Sequence, residues 1–378
     1  MKPAQPPARK RNFLPHSTTL TRGPGPGNRW CRAVRHAAGR LGEQRPTGSA
    51  ANGCRTETGP RAGAGFAMMA DFAGGQGIRS GGGAGGVVRD AAMFFGIGKK
   101  SATPAGPPQP GPFGPYHLRE LINSGGMADI WLATDRDNRS FALRRLHDDL
   151  RMDFTARKRF VQGCEILAKI HDHDCVIGYH AHGKIDGALY LLMEYVEGSN
   201  LKLMYADHDP VLLENVGNIL IDMATGLAHV HESGFMHLDF KPENVLVTRN
   251  ASVRVADFDL SQPIPKAPRK QSKYPGTPAY MAPEQLQRGA IDQRVDVWAF
   301  GVSAYELLTN HKPFPGEGPA EILAAQMRRS TFIPPVAHNP DLPEALEDLV
   351  VSCLAKEPGD RPETMTPVVE ALKAALYV

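Results

Sequence analysis

The chain has 378 residues, a formal net charge of +3 and 42% hydrophobic residues, which is enough apolar material for a sizeable buried core. Its five cysteines are odd in number and form no Cys-x-x-Cys pair, which argues against a disulfide framework or a zinc site and favours a cytoplasmic location. No run approaches the roughly 18 uninterrupted apolar residues of a membrane-spanning helix, so no membrane segment is expected.

The first third of the chain differs in composition from the rest. Residues 1–115 hold 16 Lys+Arg against 4 Asp+Glu, together with 23 of the 39 glycines and 14 of the 32 prolines. Such a stretch buries too little apolar area to fold, so we predict a disordered tail over residues 1–112 and a folded domain over residues 113–378. A transit peptide, a nucleic-acid-binding segment, or translation from Met68 or Met69 are the alternatives for the tail. Aromatic residues that would stack on bases are scarce, which argues against nucleic-acid binding.

From Tyr116 onward, apolar and polar residues alternate, which is the pattern of β-strands. The pattern predicts a strand that ends near Ile122, a glycine-containing turn over residues 123–128, a second strand that starts at Ile130, and a third strand over residues 140–146. A small sheet is therefore expected at the start of the domain.

Helical periodicity begins after these strands. Residues 152–171 are expected to form a helix, and residues 189–195 a further strand. Across residues 213–233 apolar residues recur at intervals of three and four, which predicts a buried helix that ends at Gly234. The order of strands followed by helices indicates an α+β domain.

Two polar turns, residues 237–244 and 257–259, follow apolar runs. Their polar side chains include Asp239, Lys241, Asn244 and Asp257. Phosphoryl transfer needs this set: one carboxylate accepts a hydroxyl proton, while an amide oxygen and a second carboxylate are hard donors for Mg²⁺ beside the phosphates.

These turns resemble the catalytic loop and metal-binding turn of the eukaryotic-type protein kinases, whose patterns are H-R-D-x-x-x-x-N and D-F-G. Other stretches match the same family in the same order, and their texture is similar to the bacterial serine/threonine kinases. They are Gly-Thr-Pro-Ala-Tyr-Met-Ala-Pro-Glu at 276–284, Asp-Val-Trp-Ala-Phe-Gly at 296–301, Pro-Phe at 313–314 and Asp-Arg-Pro at 360–362. The resemblance covers residues 116–378.

The resemblance implies the bilobal protein kinase fold of class α+β. A small antiparallel sheet with one helix, residues 116–196, would pack on a mainly helical lobe, residues 197–378, with ATP between them. It also implies transfer of the γ-phosphoryl group of Mg-ATP to a protein serine or threonine hydroxyl. The expected partners are a protein substrate or a regulated partner protein, with nucleic acid disfavoured.

The family's functional residues carry over to matching positions in this chain. The implied catalytic residues are Asp239 as the base, Lys241 and Asn244, and the implied metal ligands are Asn244 and Asp257. The implied ATP-binding residues are Asn123, Gly125, Ile130, Ala142, Arg144, Met193, Glu194, Val196, Leu246 and Asp257. The cofactors would be ATP and Mg²⁺.

Four positions depart from the family pattern. Arg144 stands where the family has lysine, Gly163 where it has the glutamate that pairs with that lysine, Leu238 where it has arginine, and Asp259 where it has glycine. Guanidinium and ammonium are not interchangeable at a phosphate site. The nearby Glu165 faces nearly the other way around the helix and is expected to be solvated. These departures leave two hypotheses open: a protein kinase with slow activity, or an ATP-binding or inactive pseudokinase that acts as a regulatory binding module.

Overall fold

The computed structural model describes residues 109–328, 330 and 332–377. The predicted disordered tail lies outside these residues except for its last few positions. There, strand β1 (Gly111–Phe113) begins just before the predicted domain boundary, because it pairs with the next strand from Gly111, opposite Leu118, to Phe113.

The small lobe is a six-stranded antiparallel sheet with the strand order β1-β2-β3-β4-β6-β5. Its further strands are β2 (Tyr116–Ser124), β3 (Ala128–Thr134), β4 (Ser140–Leu146), β5 (Tyr179–Ile185) and β6 (Ala188–Met193). Alternate residues of β3 and β4 face opposite sides of the sheet. Trp131 and Leu143 pack in a small core on one side, whereas Ala142 and Leu146 belong to the main core on the other.

The glycine turn between β2 and β3 is shorter than predicted. Strand pairing continues as far as Ser124 opposite Asp129, so only residues 125–127 form the turn. The Ser124 hydroxyl donates to Asp129 at 2.6 Å, and the amide of Gly125 donates to the carbonyl of Ala128 at 3.0 Å. These bonds extend the ladder into residues that the sequence pattern assigned to the turn.

One helix, α1 (Phe154–Ile170), packs on the sheet, as predicted. The Asp153 side chain caps its first turn by accepting a hydrogen bond from the amide of Ala156 at 2.9 Å. Its buried residues recur at intervals of three and four and include Phe160, Gly163 and Leu167, which gives the helix one face toward the core.

The large lobe is mainly helical. Its helices are α2 (Leu201–Ala206), α3 (Pro210–Glu232), α4 (Pro283–Leu286), α5 (Arg294–Thr309), α6 (Pro319–Met327), α7 (Pro335–His338), α8 (Glu344–Cys353) and α9 (Met365–Leu376). Its short strands are β7 (Gly198–Asn200), β8 (Phe235–Met236), β9 (Val245–Thr248), β10 (Val253–Val255), β11 (Gln262–Pro263), β12 (Arg269–Lys270) and β13 (Ala290–Ile291). Nearly every residue of α5 is buried, so this helix forms the centre of the lobe. The expected two-lobed α+β fold is confirmed.

Helix α3 begins earlier than predicted because Asp209 caps it and a proline, Pro210, opens its first turn. Within the described part of the chain it is the one helix whose length and apolar composition would allow it to cross a membrane. Most of its apolar window is buried inside the domain, as in the core helix of a globular fold.

Candidate functional site

A buried carboxylate, Asp296, binds the backbone of the first polar turn. Asp296, in the first turn of α5, accepts hydrogen bonds from the amides of His237 at 2.7 Å and Leu238 at 2.8 Å, and from Nε2 of His231 at 3.1 Å. Leu238 has a φ of 67°, which a side chain of this size rarely adopts. Asp296 therefore stabilises a strained backbone directly before Asp239.

The electrostatic environment favours the charged form of Asp296. Burial alone would raise its pKa, but the hydrogen bond and attraction of His231, with weaker contributions from His237 and the amide of Leu238, hold the pKa below its usual range. The carboxylate is thus paired on both oxygens inside the core.

Asp239 lies in a polar cluster formed by the same turn and residue 277. Lys241 Nζ donates to Asp239 Oδ2 at 2.7 Å and to Thr277 Oγ1 at 2.8 Å. The Asn244 amide nitrogen donates to the backbone carbonyl of Asp239 at 2.8 Å. The structure therefore brings together the three residues that the sequence assigned to catalysis, and it adds Thr277, whose hydroxyl lies 3.4 Å from Asp239 Oδ1.

Ala256, the residue directly before Asp257, is joined to Asn244 through the backbone. The amide of Ala256 donates to the carbonyl of Asn244 at 2.9 Å, and His237 Nε2 donates to the carbonyl of Ala256 at 3.1 Å. Asp257 itself has a φ of 66°, a strained conformation that these neighbours maintain.

The residues present fit a magnesium ion held together with phosphates. Oδ1 of Asp257 is buried and accepts no hydrogen bond among the described residues. Because the nitrogen of Asn244 donates to Asp239, its amide oxygen remains as a hard donor. No cluster of three or more His, Cys, Asp or Glu residues that could hold a metal occurs in the described residues. Mg²⁺ is usually bound by one or two protein ligands plus substrate phosphates, and Asp257 and Asn244 offer two such oxygen donors.

Arg144 forms an ion pair with Asp259, the residue of the second turn that departs from the family pattern. Its Nη1 and Nη2 donate to Oδ1 and Oδ2 of Asp259 at 2.7 and 2.6 Å, and Nη1 lies 3.4 Å from Oδ1 of Asp257. Burial alone would lower the pKa of Arg144, but the charges of Asp259 and Asp257 raise it above its usual range. The guanidinium therefore stays charged beside the candidate metal site.

Gly163 and Glu165 are the two helix positions considered for the glutamate that would pair with residue 144. They lie in different environments. Gly163 is buried against Asp259: a Cβ at this position would lie 2.9 Å from Asp259 Oδ1 and 3.0 Å from its Cα. Glu165 is exposed, as expected, and no ion pair links it to Arg144 in the described structure. The helix thus supplies no carboxylate to the site.

The predicted adenine-binding positions share one face of the sheet. Ile130 lies opposite Arg144, and Ala142 lies opposite Met193, so the side chains of each pair project to the same side. Leu246, on β9 of the large lobe, is half-buried. Their contact with a nucleotide remains a prediction.

Two further predicted ATP-binding regions are the segment with Glu194 and Val196 and the hairpin with Asn123 and Gly125. The Glu194 carboxylate is used internally, because it accepts from Arg254 and from the amide of Gly178 at 3.1 Å, so a ligand contact at Glu194 and Val196 would use backbone groups. Asn123 lies in strand β2 and Gly125 in the turn. No described hydrogen bond joins this hairpin to Asp239 or Asp257, and its role remains a prediction.

The segment between Asp259 and Gly276 is ordered by neutral contacts. Strand β12 pairs with β13, and the Tyr274 hydroxyl accepts from the amide of Gln271 and donates to the carbonyl of Gly289. The Ser261 hydroxyl is fully buried and donates to the carbonyl of His237 at 3.1 Å. Ser272 is the exposed hydroxyl of this segment.

A groove on the large lobe is lined in part by Thr277, whose hydroxyl lies near the Asp239 carboxylate. Its lining includes two acids, Glu243 and Glu306, and two lysines, Lys202 and Lys312. Lys202 pairs with Glu243 at 2.6 Å. The groove reaches Thr277, which belongs to the polar cluster around Asp239.

The role of Asp259 was not foreseen from the sequence. In the sequence, the departures at positions 144, 163 and 259 together favour an inactive pseudokinase. Their joint departure is the signal that the sequence offers, and it does not show that the three positions are in contact. The ring of Phe160, 5.5 Å from the Arg144 guanidinium, was also missed, because it has the same periodicity as any core residue of the helix.

The comparisons with known proteins agree with this geometry. The family model described as the protein kinase domain matches residues 116–373. Serine/threonine-protein kinase PrkC of Bacillus subtilis is 29% identical over 266 residues, which cover 69% of this chain and 40% of PrkC. Serine/threonine-protein kinase PknB of Mycolicibacterium smegmatis is 31% identical over 257 residues, which cover 66% of this chain and 41% of PknB. The chain thus spans about two fifths of the length of these relatives.

Proposed function

The chain belongs to the protein kinase domain family, and on that premise we propose that it transfers the γ-phosphoryl group of ATP to serine or threonine hydroxyls of a protein. The observation that carries the proposal is the cluster in which Lys241 and Thr277 contact the carboxylate of Asp239. A carboxylate base can position and deprotonate an attacking alcohol. A cation and a hydroxyl within hydrogen-bonding distance hold that base in place.

The chain's own residues divide the work as follows. Asp239 accepts the proton of the substrate hydroxyl, and Lys241 holds that carboxylate in place while presenting positive charge to the transferring phosphoryl group. Asn244 and Asp257 would hold Mg²⁺, which when bound neutralises charge that develops on the phosphates. Arg144 presents a second cation from strand β4. Thr277 keeps the substrate side of Asp239 polar.

The groove beside Asp239 supports a protein acceptor. It reaches Thr277, which lies next to the proposed base, and it carries polar and charged side chains that can contact an extended polypeptide. PrkC and PknB are serine/threonine-protein kinases, which supports the same class of acceptor here.

A second candidate function is an ATP-binding regulatory module without phosphoryl transfer. The observation that favours it is Arg144, both of whose terminal nitrogens are engaged by Asp259. Such a module would bind nucleotide and would not label a substrate. Binding and transfer must therefore be measured separately.

Nucleotide binding should appear as thermal stabilisation. Because Mg-ATP binds the folded state only, about a hundredfold excess over its Kd adds about 2.7 kcal/mol, which should raise the Tm of the full chain by roughly 5–10 °C. Asp257→Asn should reduce the shift to the value seen for ATP with excess chelator, since it removes the charged metal ligand. Glu165→Gln, an exposed acid on α1, is the control and should behave as wild type. No shift at millimolar Mg-ATP would contradict the proposed site.

Activity should not depend on phosphorylation of the 259–276 segment. Leu238 offers no donor to a phosphate, Ser261 is buried, and Tyr274 is already bonded, so the segment is ordered without added charge. Phosphatase treatment is expected to leave the transfer rate within about twofold of its starting value. A large loss that alanine at Ser272 reproduces would show that a phosphate at Ser272 orders the segment.

A further inference from the structure

We propose that Arg144, Asp259 and Gly163 form one interdependent unit, in which Asp259 is the positioning residue that fixes the Arg144 guanidinium for contact with the nucleotide phosphates. The inference rests on the proposed function for its nucleotide part. Its structural part rests on contacts among the three residues alone. All three depart from the family pattern, and the structure brings all three into contact.

The first argument is the geometry of the ion pair. Two parallel hydrogen bonds of 2.7 and 2.6 Å join Arg144 to the two oxygens of Asp259, and the side chains are only 13% and 11% exposed. A planar guanidinium meets a carboxylate in this way, whereas a lysine presents a single point charge to one oxygen. Asp259 therefore selects arginine at position 144.

The second argument is the space at Gly163. A Cβ there would lie within 3.1 Å of the Asp259 amide nitrogen as well as 3.0 Å from its Cα, so a side chain would have to displace backbone. Glycine in a helix interior costs about 1 kcal/mol relative to alanine, and here it allows the turn to approach the helix closely. Gly163 is thus the helix residue that admits Asp259.

The third argument is where this unit holds the cation. Arg144 Nη1 lies 3.4 Å from Oδ1 of Asp257, the proposed metal ligand, and the Phe160 ring lies 5.5 Å from the guanidinium carbon. Asp259 uses one N–H of each terminal nitrogen, and a guanidinium has five. Further donors therefore remain for phosphate oxygens beside Asp257.

One consequence concerns helix α1. The helix contacts the segment around Asp259 in two ways: the side-chain amide of Gln162 donates to the carbonyl of Ser261 at 2.7 Å, and Gly163 lies against Asp259. Introducing a glutamate at 163 with lysine at 144 should therefore fail unless Asp259 is also changed, because the new side chain and Asp259 require the same space.

A thermal double-mutant cycle without nucleotide tests the unit. Arg144→Met and Asp259→Asn in the full chain should each lower the Tm by on the order of 10 °C, because each leaves a buried partner uncompensated. The double variant should be no less stable than the worse single variant. Arg145→Met and Asp148→Asn, which break a more exposed pair on the same strand and the adjoining turn, form the control cycle and should shift Tm by about 2 °C or less. Additive losses at 144 and 259 would overturn the unit.

A matched pair of glycines tests the third member. Gly163→Ala should lower the Tm, whereas Gly217→Ala in helix α3, whose Cβ would meet Leu376 at an ordinary 3.5 Å, should leave it unchanged or raise it. Equal effects at the two glycines would remove Gly163 from the unit.

A ligand comparison tests the positioning role. Asp259→Asn and Arg144→Met should each weaken ATP binding by about tenfold, measured by calorimetry, and leave adenosine binding unchanged, because adenosine lacks phosphates. Arg144→Lys, a milder change, should give an intermediate loss and serves if the other variants do not fold. An unchanged ratio of ATP to adenosine affinity in Asp259→Asn would overturn the positioning role. Wild-type protein that binds neither ligand would overturn the proposed function and the positioning role together, while a non-additive thermal cycle would still support the unit.

Discussion

Asp239→Asn is expected to lower the rate of phosphoryl transfer by about a hundredfold or more while ATP affinity changes little. General bases contribute roughly 10² to 10⁴ in rate, and asparagine cannot accept the substrate's proton. The variant keeps the shape of the side chain and its proximity to Lys241, so the fold and the nucleotide site should survive. The measurement is the transfer rate at saturating Mg-ATP together with the Kd for ATP.

A matched variant makes this result interpretable. Glu165→Gln removes one exposed carboxylate from the small lobe and should transfer at the wild-type rate. If Asp239→Asn and wild type transfer equally fast, Asp239 is not the base. If neither the wild type nor Asp239→Asn transfers phosphoryl groups but both bind ATP, the protein is an ATP-binding regulatory module.

Asp296→Asn is expected to cause the largest loss of stability. The carboxylate accepts from two backbone amides and from His231, and an asparagine would turn one NH₂ group toward these donors. Breaking a buried, charge-assisted network of this kind costs about 3–5 kcal/mol, which lowers the midpoint of urea unfolding. Asp348→Asn, at an exposed position on α8, is the control. Equal midpoints for the two variants would contradict the bracing role.

The lowered pKa of Asp296 predicts how the stability difference between wild type and Asp296→Asn changes with pH. The folded-state pKa of Asp296 is lowered, so its contribution to stability is fully present above the unfolded-state pKa of about 3.9 and is lost as pH falls through the folded-state value. The difference in unfolding free energy between wild type and Asp296→Asn should therefore be constant near neutrality and shrink in acid below about pH 4. A difference that grows on acidification would contradict the direction of the shift.

The fold could be predicted because its signals are local. Alternation over residues 116–146 and the three-to-four spacing across residues 213–233 are direct consequences of one-sided burial in strands and helices. The grouping of Asp239, Lys241 and Asn244 could be predicted because these residues lie within a few positions of each other in the sequence. The turn between β2 and β3 was misjudged in length, because glycine marks a turn and does not say how far the ladder extends on either side.

There is a physical reason why the contact among positions 144, 163 and 259 could not be predicted. These residues are far apart in the sequence, and each looks like a defect when it is considered alone. Arg144 without a glutamate on α1 suggests an unpaired cation, and Asp259 suggests a misplaced acid. Only the three-dimensional contact shows that each of these two changes supplies the partner of the other.

Transfer of label from γ-labelled ATP is the most direct test of the central claim. The purified full chain with Mg²⁺ and a basic protein substrate should place label on serine or threonine, as identified by phosphoamino-acid analysis, and Asp239→Asn should not. Saturable ATP binding by the wild-type protein with no label above the Asp239→Asn background would contradict the account.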